Sequence, residues 1–182
     1  MDIFSPAAIV SLLVGGGMLY FPNLWCRLRE EAPESYGLCW NFNRRDFIQT
    51  LLITGGVLVL LTVVALHWPW DTLPHKRTLG EVLNMGAGGL AAAVIEETFF
   101  RGWLQPLFAK RYDPYVAIVL TNLIFTPIHL FVAPNLISLC IFFPGCIMGW
   151  LKHRYNNLFP PALFHFLGNV WAIWFFPVPI EF

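Results

Sequence analysis

The chain alternates long apolar runs with short polar breaks. Apolar positions fill residues 3–25, 47–68, 79–108, 115–131, 135–151 and 159–176. At about 1.5 Å per helical residue, a helix over each run crosses or nearly crosses a bilayer core of about 30 Å. The last three runs sit near the short limit, so tilting, breaks or shelter by neighbouring helices is expected there. Pro22, Pro69, Pro106, Pro134, Pro160 and Pro161 fall at or near the run ends, whereas Pro127 and Pro144 fall inside and predict kinks. No repeat, low-complexity stretch or long linker divides the chain. The pattern predicts an all-α, polytopic membrane bundle of about six transmembrane helices. It reads as one membrane domain over residues 1–182, with two N-terminal helices in 1–78 and the remainder in 79–176.

Composition strengthens that reading. Of 182 residues, 57% are hydrophobic and 12% charged, against about 25% charged in soluble domains. Mean hydropathy is +0.62. Net charge is zero, and basic patches interleaved with aromatics are absent, which excludes nucleic acid as a partner. The first run begins beside Asp2 and lacks a basic leader and an A-x-A site, so a retained helix is expected rather than a cleaved signal. Cys26, Cys39, Cys140 and Cys146 show no metal spacing and read as free thiols. Arg27, Arg29, Arg44, Arg45, Lys110, Arg111, Lys152 and Arg154 occupy the first, third and fifth loops, with only Lys76 and Arg77 opposite. This bias places the odd loops in the cytoplasm and both termini on the non-cytoplasmic side. Trp25, Trp40, Trp68, Trp70 and Trp150 lie near the expected interfaces. Small residues cluster at 15–17, 55–56 and 86–93. Close helix approach is the first explanation, and a smooth surface for a substrate the second.

Against this background the polar residues inside the runs stand out. They are Glu96, Glu97 and Arg101 in the third run, Asn122 and His129 in the fourth, and His165 and Asn169 in the sixth. An ionisable group at mid-depth costs about 3 kcal/mol or more, faces the bundle interior and marks a functional site by default. Glu96 stands fourteen residues before Lys110, roughly 21 Å along an α-helix. His129 stands fourteen after Tyr115, and His165 eleven after Arg154. Three segments therefore bring polar groups to similar depth. Glu97 and Arg101, four apart, share a helix face in the favourable order for an ion pair. Glu96 is turned about 100° from Glu97 and about 140° from Arg101, which leaves it as the chemical carboxylate. His165 shares a face with Asn169, and Phe125 with His129; Asn122 lies near that second face. His67, His75 and His153 fall at run ends or in loops and read as ordinary.

Three spacings carry a resemblance. "EETFFRG" (Glu96 to Gly102) fits E-E-x-x-x-R, "FTPIH" (Phe125 to His129) fits F-x-x-x-H, and "HFLGN" (His165 to Asn169) fits H-x-x-x-N. In this order on successive membrane segments, over about residues 80–172, the chain resembles the CPBP family, also called Abi. That family contains type II CAAX prenyl endopeptidases and relatives linked to bacteriocin processing or immunity. The resemblance implies glutamate-type intramembrane proteolysis without a metal and without a covalent intermediate. On that analogy Glu96 and His129 bind and deprotonate the attacking water, while His165 and Asn169 donate to the oxyanion. Glu97 and Arg101 support the site, and Phe125 packs beside it. The implied substrate is a membrane-associated protein or peptide, such as a CAAX-like protein, a bacteriocin precursor or a C-terminal sorting tail. The expected location is a prokaryotic cell membrane.

Two alternatives remain open at this level. Glu96, His129 and His165 also form a carboxylate and two histidines of the kind that hold catalytic zinc with one open position. Intramembrane Glu and His equally serve binding or immunity proteins and proton-coupled carriers, although no pair of similar halves marks a carrier.

Overall fold

The computed structural model describes residues 5–67, 73–132 and 134–177. All regular structure among these residues is helical, as expected where lipid offers the backbone no hydrogen bonds. The expected boundaries at Ile3 and Trp68, together with Pro69 and Trp70, lie outside the described residues.

Helix α1 (Pro6–Arg29) starts on a Ser5 cap whose Oγ accepts from Ala8 N–H at 3.2 Å. It runs past the expected end at residue 25, so Pro22 lies inside it and is buried. Helix α2 is Arg44–His67. Helix α3 (Leu79–Glu96) begins in a reciprocal cap: Glu81 N–H donates to Thr78 Oγ1, and Thr78 N–H donates to Glu81 Oε2. The chain continues through a π-helical stretch, Glu97–Leu104, into the short α4 (Gln105–Ala109). Helix α5 (Pro114–Val132) contains Pro127. A 3₁₀ segment, Leu136–Ile141, precedes α6 (Phe142–Tyr155). Pro144 therefore stands in the first turn of α6, where its missing N–H is harmless, rather than at a mid-helix kink. Helix α7 is Phe159–Phe175.

Among the described residues, four stretches are long and apolar enough to cross a membrane: Ala8–Arg29, Arg44–His67, Pro114–Phe131 and Leu136–Tyr155. The protein is an integral, multi-pass membrane protein. The two remaining runs form the helices α3 and α7, which carry Glu96, His165 and Asn169 and are not among these four stretches. Leu12, Leu13, Leu52, Val59 and Leu60 are exposed on the outer faces of α1 and α2, as lipid-facing residues should be.

Helix α7 packs on α2, α3 and α6; α5 packs on α4 and α6; α1 packs on α3 and the π stretch. The core consists of Phe100, Leu104, Phe125, Met148, Leu151 and Phe164. One end of the bundle is tied by the first, third and fifth loops. Lys110 Nζ lies 2.6 Å from both Glu31 Oε2 and Tyr36 Oη. The ammonium and the Tyr36 hydroxyl hold the Glu31 carboxyl below the usual carboxylate range. Lys152 Nζ donates to Tyr36 O at 3.0 Å, and Leu158 N–H donates to Cys39 O at 2.9 Å. Gly37 adopts φ 63°, and a Cβ there would collide with Lys152 and Asn156, so this loop needs its glycine for both conformation and space. The loops grouped by their basic residues thus meet at one end of the molecule.

Candidate active site

At the acidic pair the third segment departs from a regular α-helix. The π stretch closes on i→i+5 bonds, a rare geometry that recurs at functional sites. Its wider turn carries Arg101, five residues after Glu96 and four after Glu97, toward the Glu96 side.

The expected pair forms. Arg101 Nη1 lies 3.2 Å from Glu97 Oε1, and both side chains are 0% exposed. The other arm of the guanidinium, Nη2, donates to Asn122 Oδ1 at 3.0 Å and to Gly145 O at 3.1 Å. Its carbon sits 4.3 Å from the centre of the Phe125 ring. A charge this deep is tolerated when it is paired and hydrogen-bonded; the π stretch, α5 and α6 supply partners to Nη1 and Nη2, while Nε has none.

Glu97 is not reserved for Arg101. Its Oε1 also lies 2.8 Å from His165 Nδ1. A carboxylate only accepts, so Nδ1 carries a proton, and in the corresponding neutral tautomer Nε2 presents a lone pair. Nε2 stands 3.8 Å from Glu96 Oε2, too far for a direct hydrogen bond. Glu96 Oε2 is buried without a hydrogen-bond partner, although 25% of the side chain is exposed. His165 therefore stands between the two glutamates, one ring nitrogen toward each.

His129 makes no direct hydrogen bond to Glu96; its Nδ1 lies 3.2 Å from Phe125 O in its own helix. Its ring packs 4.6 Å from that of Phe125, which in turn lies 6.2 Å from His165. Phe125 is fully buried and touches His129, His165, Arg101 and Phe100. Asn169 Nδ2 donates to Gly89 O at 3.0 Å, which leaves one amide proton free. A Cβ on Gly89 would stand 3.0 Å from Asn169 Cβ, so the expected close approach occurs here between α3 and α7. At Gly16, Gly17, Gly55, Gly56, Gly86 and Gly88 a Cβ meets nothing within 4 Å.

The structure adds partners that spacing alone did not rank. Asn122 lies one turn before Phe125, and its depth was visible in the sequence. Gly145 and Gly89 contribute backbone carbonyls, which leave no trace in residue type. Among the described residues, no group of His, Cys, Asp and Glu side chains is arranged to hold a metal ion. The carboxylate–two-histidine set of Glu96, His129 and His165 is not assembled. Glu96, Glu97 and His165 are adjacent, but the imidazole lies between the carboxylates, so the three do not converge on one point.

A family model described as Type II CAAX prenyl endopeptidase Rce1-like matches residues 78–171. The match runs from the cap of α3 into α7 and includes every residue placed above in the polar cluster. Among curated proteins and among solved structures, nothing matches the chain.

Proposed function

We propose that the chain, which belongs to the Rce1-like type II CAAX prenyl endopeptidase family, hydrolyses a peptide bond of a membrane-associated protein or peptide by means of Glu96-activated water. Membership already implies an intramembrane protease. The observation that carries the mechanism is the buried, partnerless Glu96 Oε2 facing His165 Nε2 across 3.8 Å. On this reading the attacking water lies between these two atoms, whose separation exceeds that of a direct hydrogen bond. Glu97, balanced by Arg101, holds the proton on His165 Nδ1, so Nε2 accepts one proton of that water in a hydrogen bond while Glu96 takes the other.

As the water oxygen attacks the scissile carbonyl carbon, its proton moves to Glu96. The carbonyl π pair becomes an oxyanion, and the free amide proton of Asn169 is the donor nearest the α3–α7 seam. Collapse of the tetrahedral intermediate breaks the C–N bond, and Glu96 returns its proton to the leaving nitrogen. His129, with Nδ1–H committed to Phe125 O, keeps Nε2 as a second acceptor. This reading moves His165 from oxyanion donor to holder of the water. Desolvation makes a carboxylate a stronger base, and loss of one aligned donor costs roughly 100-fold or more.

The same reading treats residues 1–182 as one membrane domain, since α1 packs on α3 and α2 on α7. The loop end carrying Lys110 and Lys152 faces the cytoplasm, as its basic residues favour. Substrates to test are a prenylated CAAX peptide, a hydrophobic peptide precursor and a C-terminal membrane tail. Purified protein should cleave one of them in detergent with excess chelator present, whereas Glu96→Gln and His129→Ala fold but do not cleave. Full activity in both variants overturns the proposal, and activity lost to chelator and restored by zinc replaces its metal-free chemistry.

A further inference from the structure

The Glu97–Arg101 pair is held by its neighbours, and the last link in that chain of contacts lies outside the three motifs. Asn122 of α5 is fully buried. Its Nδ2 donates to Ile118 O at 2.8 Å, while its Oδ1 accepts from Arg101 Nη2 at 3.0 Å. The two neighbours fix the amide: a carbonyl can face only the NH₂ side, and a guanidinium only the oxygen. Gly145 O accepts from the same Arg101 nitrogen. A Cβ on residue 145 would collide with the Asn122 carboxamide and come within 3.4 Å of Arg101 Nη2.

We infer that Asn122 is a positioning residue of the reaction, seated by Gly145, which sets the Arg101 fork so that Glu97 holds His165 with Nε2 toward Glu96. The inference rests on the hydrolytic role proposed for Glu96 and His165. An uncharged acceptor suits this task. It fixes one arm of the guanidinium without competing as an anion, so the positive charge remains directed at Glu97. Arg101 has a rotamer-rich stem, and one face of its plane is already occupied by Phe125. Without Asn122, Nη2 retains Gly145 O alone, so the outer arm of the fork loses one of its two anchors and the fork can tilt on its Glu97 contact. Glu97 and then the His165 ring follow, because Glu97 Oε1 is shared between them. Misplacement of a reacting group by about 1 Å costs on the order of 100-fold.

The test is steady-state cleavage per folded protein for Asn122→Ala, Gly145→Ala and the double variant, with Glu96→Gln as the inactive reference. Asn122→Ala should lower kcat about 10- to 100-fold, as loss of a supporting contact does at other sites, and leave KM within about twofold. Gly145→Ala should do the same by pushing the carboxamide aside. Because Asn122→Ala vacates the space that a methyl on residue 145 would need, the double variant should lose no more than the worse single one. Wild-type kcat in Asn122→Ala overturns the inference, as does a KM effect alone or full additivity in the double variant. If Asn122→Ala does not fold, Gly145→Ala decides by its kcat. The proposed chemistry fails separately, through activity in Glu96→Gln.

Discussion

Adjacent glutamates of the same residue type should respond in opposite ways to loss of charge. Glu97 is fully buried, 3.2 Å from Arg101 and 2.8 Å from His165. Glu97→Gln keeps the shape and one acceptor oxygen but leaves the buried guanidinium facing only neutral acceptors. Breaking a buried pair from one side costs about 3–5 kcal/mol. For a chain of this length each kcal/mol lowers Tm by about 2–4 °C, so the expected fall is roughly 6–20 °C. Loss of an interhelical hydrogen bond alone averages about 0.6 kcal/mol in a membrane, or roughly 1–2 °C. The magnitudes therefore separate a charge-balance role from a hydrogen-bonding one. Glu96→Gln should leave Tm unchanged or raise it, because Glu96 Oε2 is buried without a hydrogen-bond partner and removing an uncompensated charge relieves a burial cost. The assay is thermal unfolding in detergent followed by tryptophan fluorescence, with cleavage measured on the same samples. A Glu97→Gln fall below about 2 °C, or equal falls in both variants, refutes the division of roles.

The glycines of α3 offer a matched pair. Gly89→Val should force α3 from α7, displace Asn169 and lower both cleavage and Tm, while Gly88→Ala, where a Cβ meets nothing within 4 Å, should leave cleavage unchanged. Equal effects at the two positions would show that the α3–α7 approach does not seat Asn169. Labelling of single cysteines placed at Lys76 and at Arg111 should reach the first from outside the cell and the second only after permeabilisation. The reverse pattern would invert the proposed orientation.

The helices were legible because the bilayer leaves the chain few options. A long apolar run must satisfy its own backbone, so its existence is written in residue type. Helix ends were less legible. Pro22 resembled a stop, yet α1 passes through it to Arg29, since membrane helices tolerate proline. Pro144 resembled a kink and instead stands in the first turn of α6. The expensive side chains were also readable one by one, because Glu96, Glu97, Arg101, His129 and His165 contradict their surroundings.

Pairing between helices was not readable, because spacing gives an angle on one helix and says nothing of the helix opposite. An α-helical period divided Glu96 from Glu97, but it could not show that His165 would stand between the two carboxylates or that His129 would pack on Phe125. Asn122 gained its place only when α5 met the π stretch and α6 around Arg101. The sequence by itself determined a membrane-embedded helical chain with charged groups inside its apolar runs, since the cost of burying a side chain depends first on its residue type. Which charge meets which partner depends on distances of a few ångströms between separate segments, and only packing of the tertiary structure decides those.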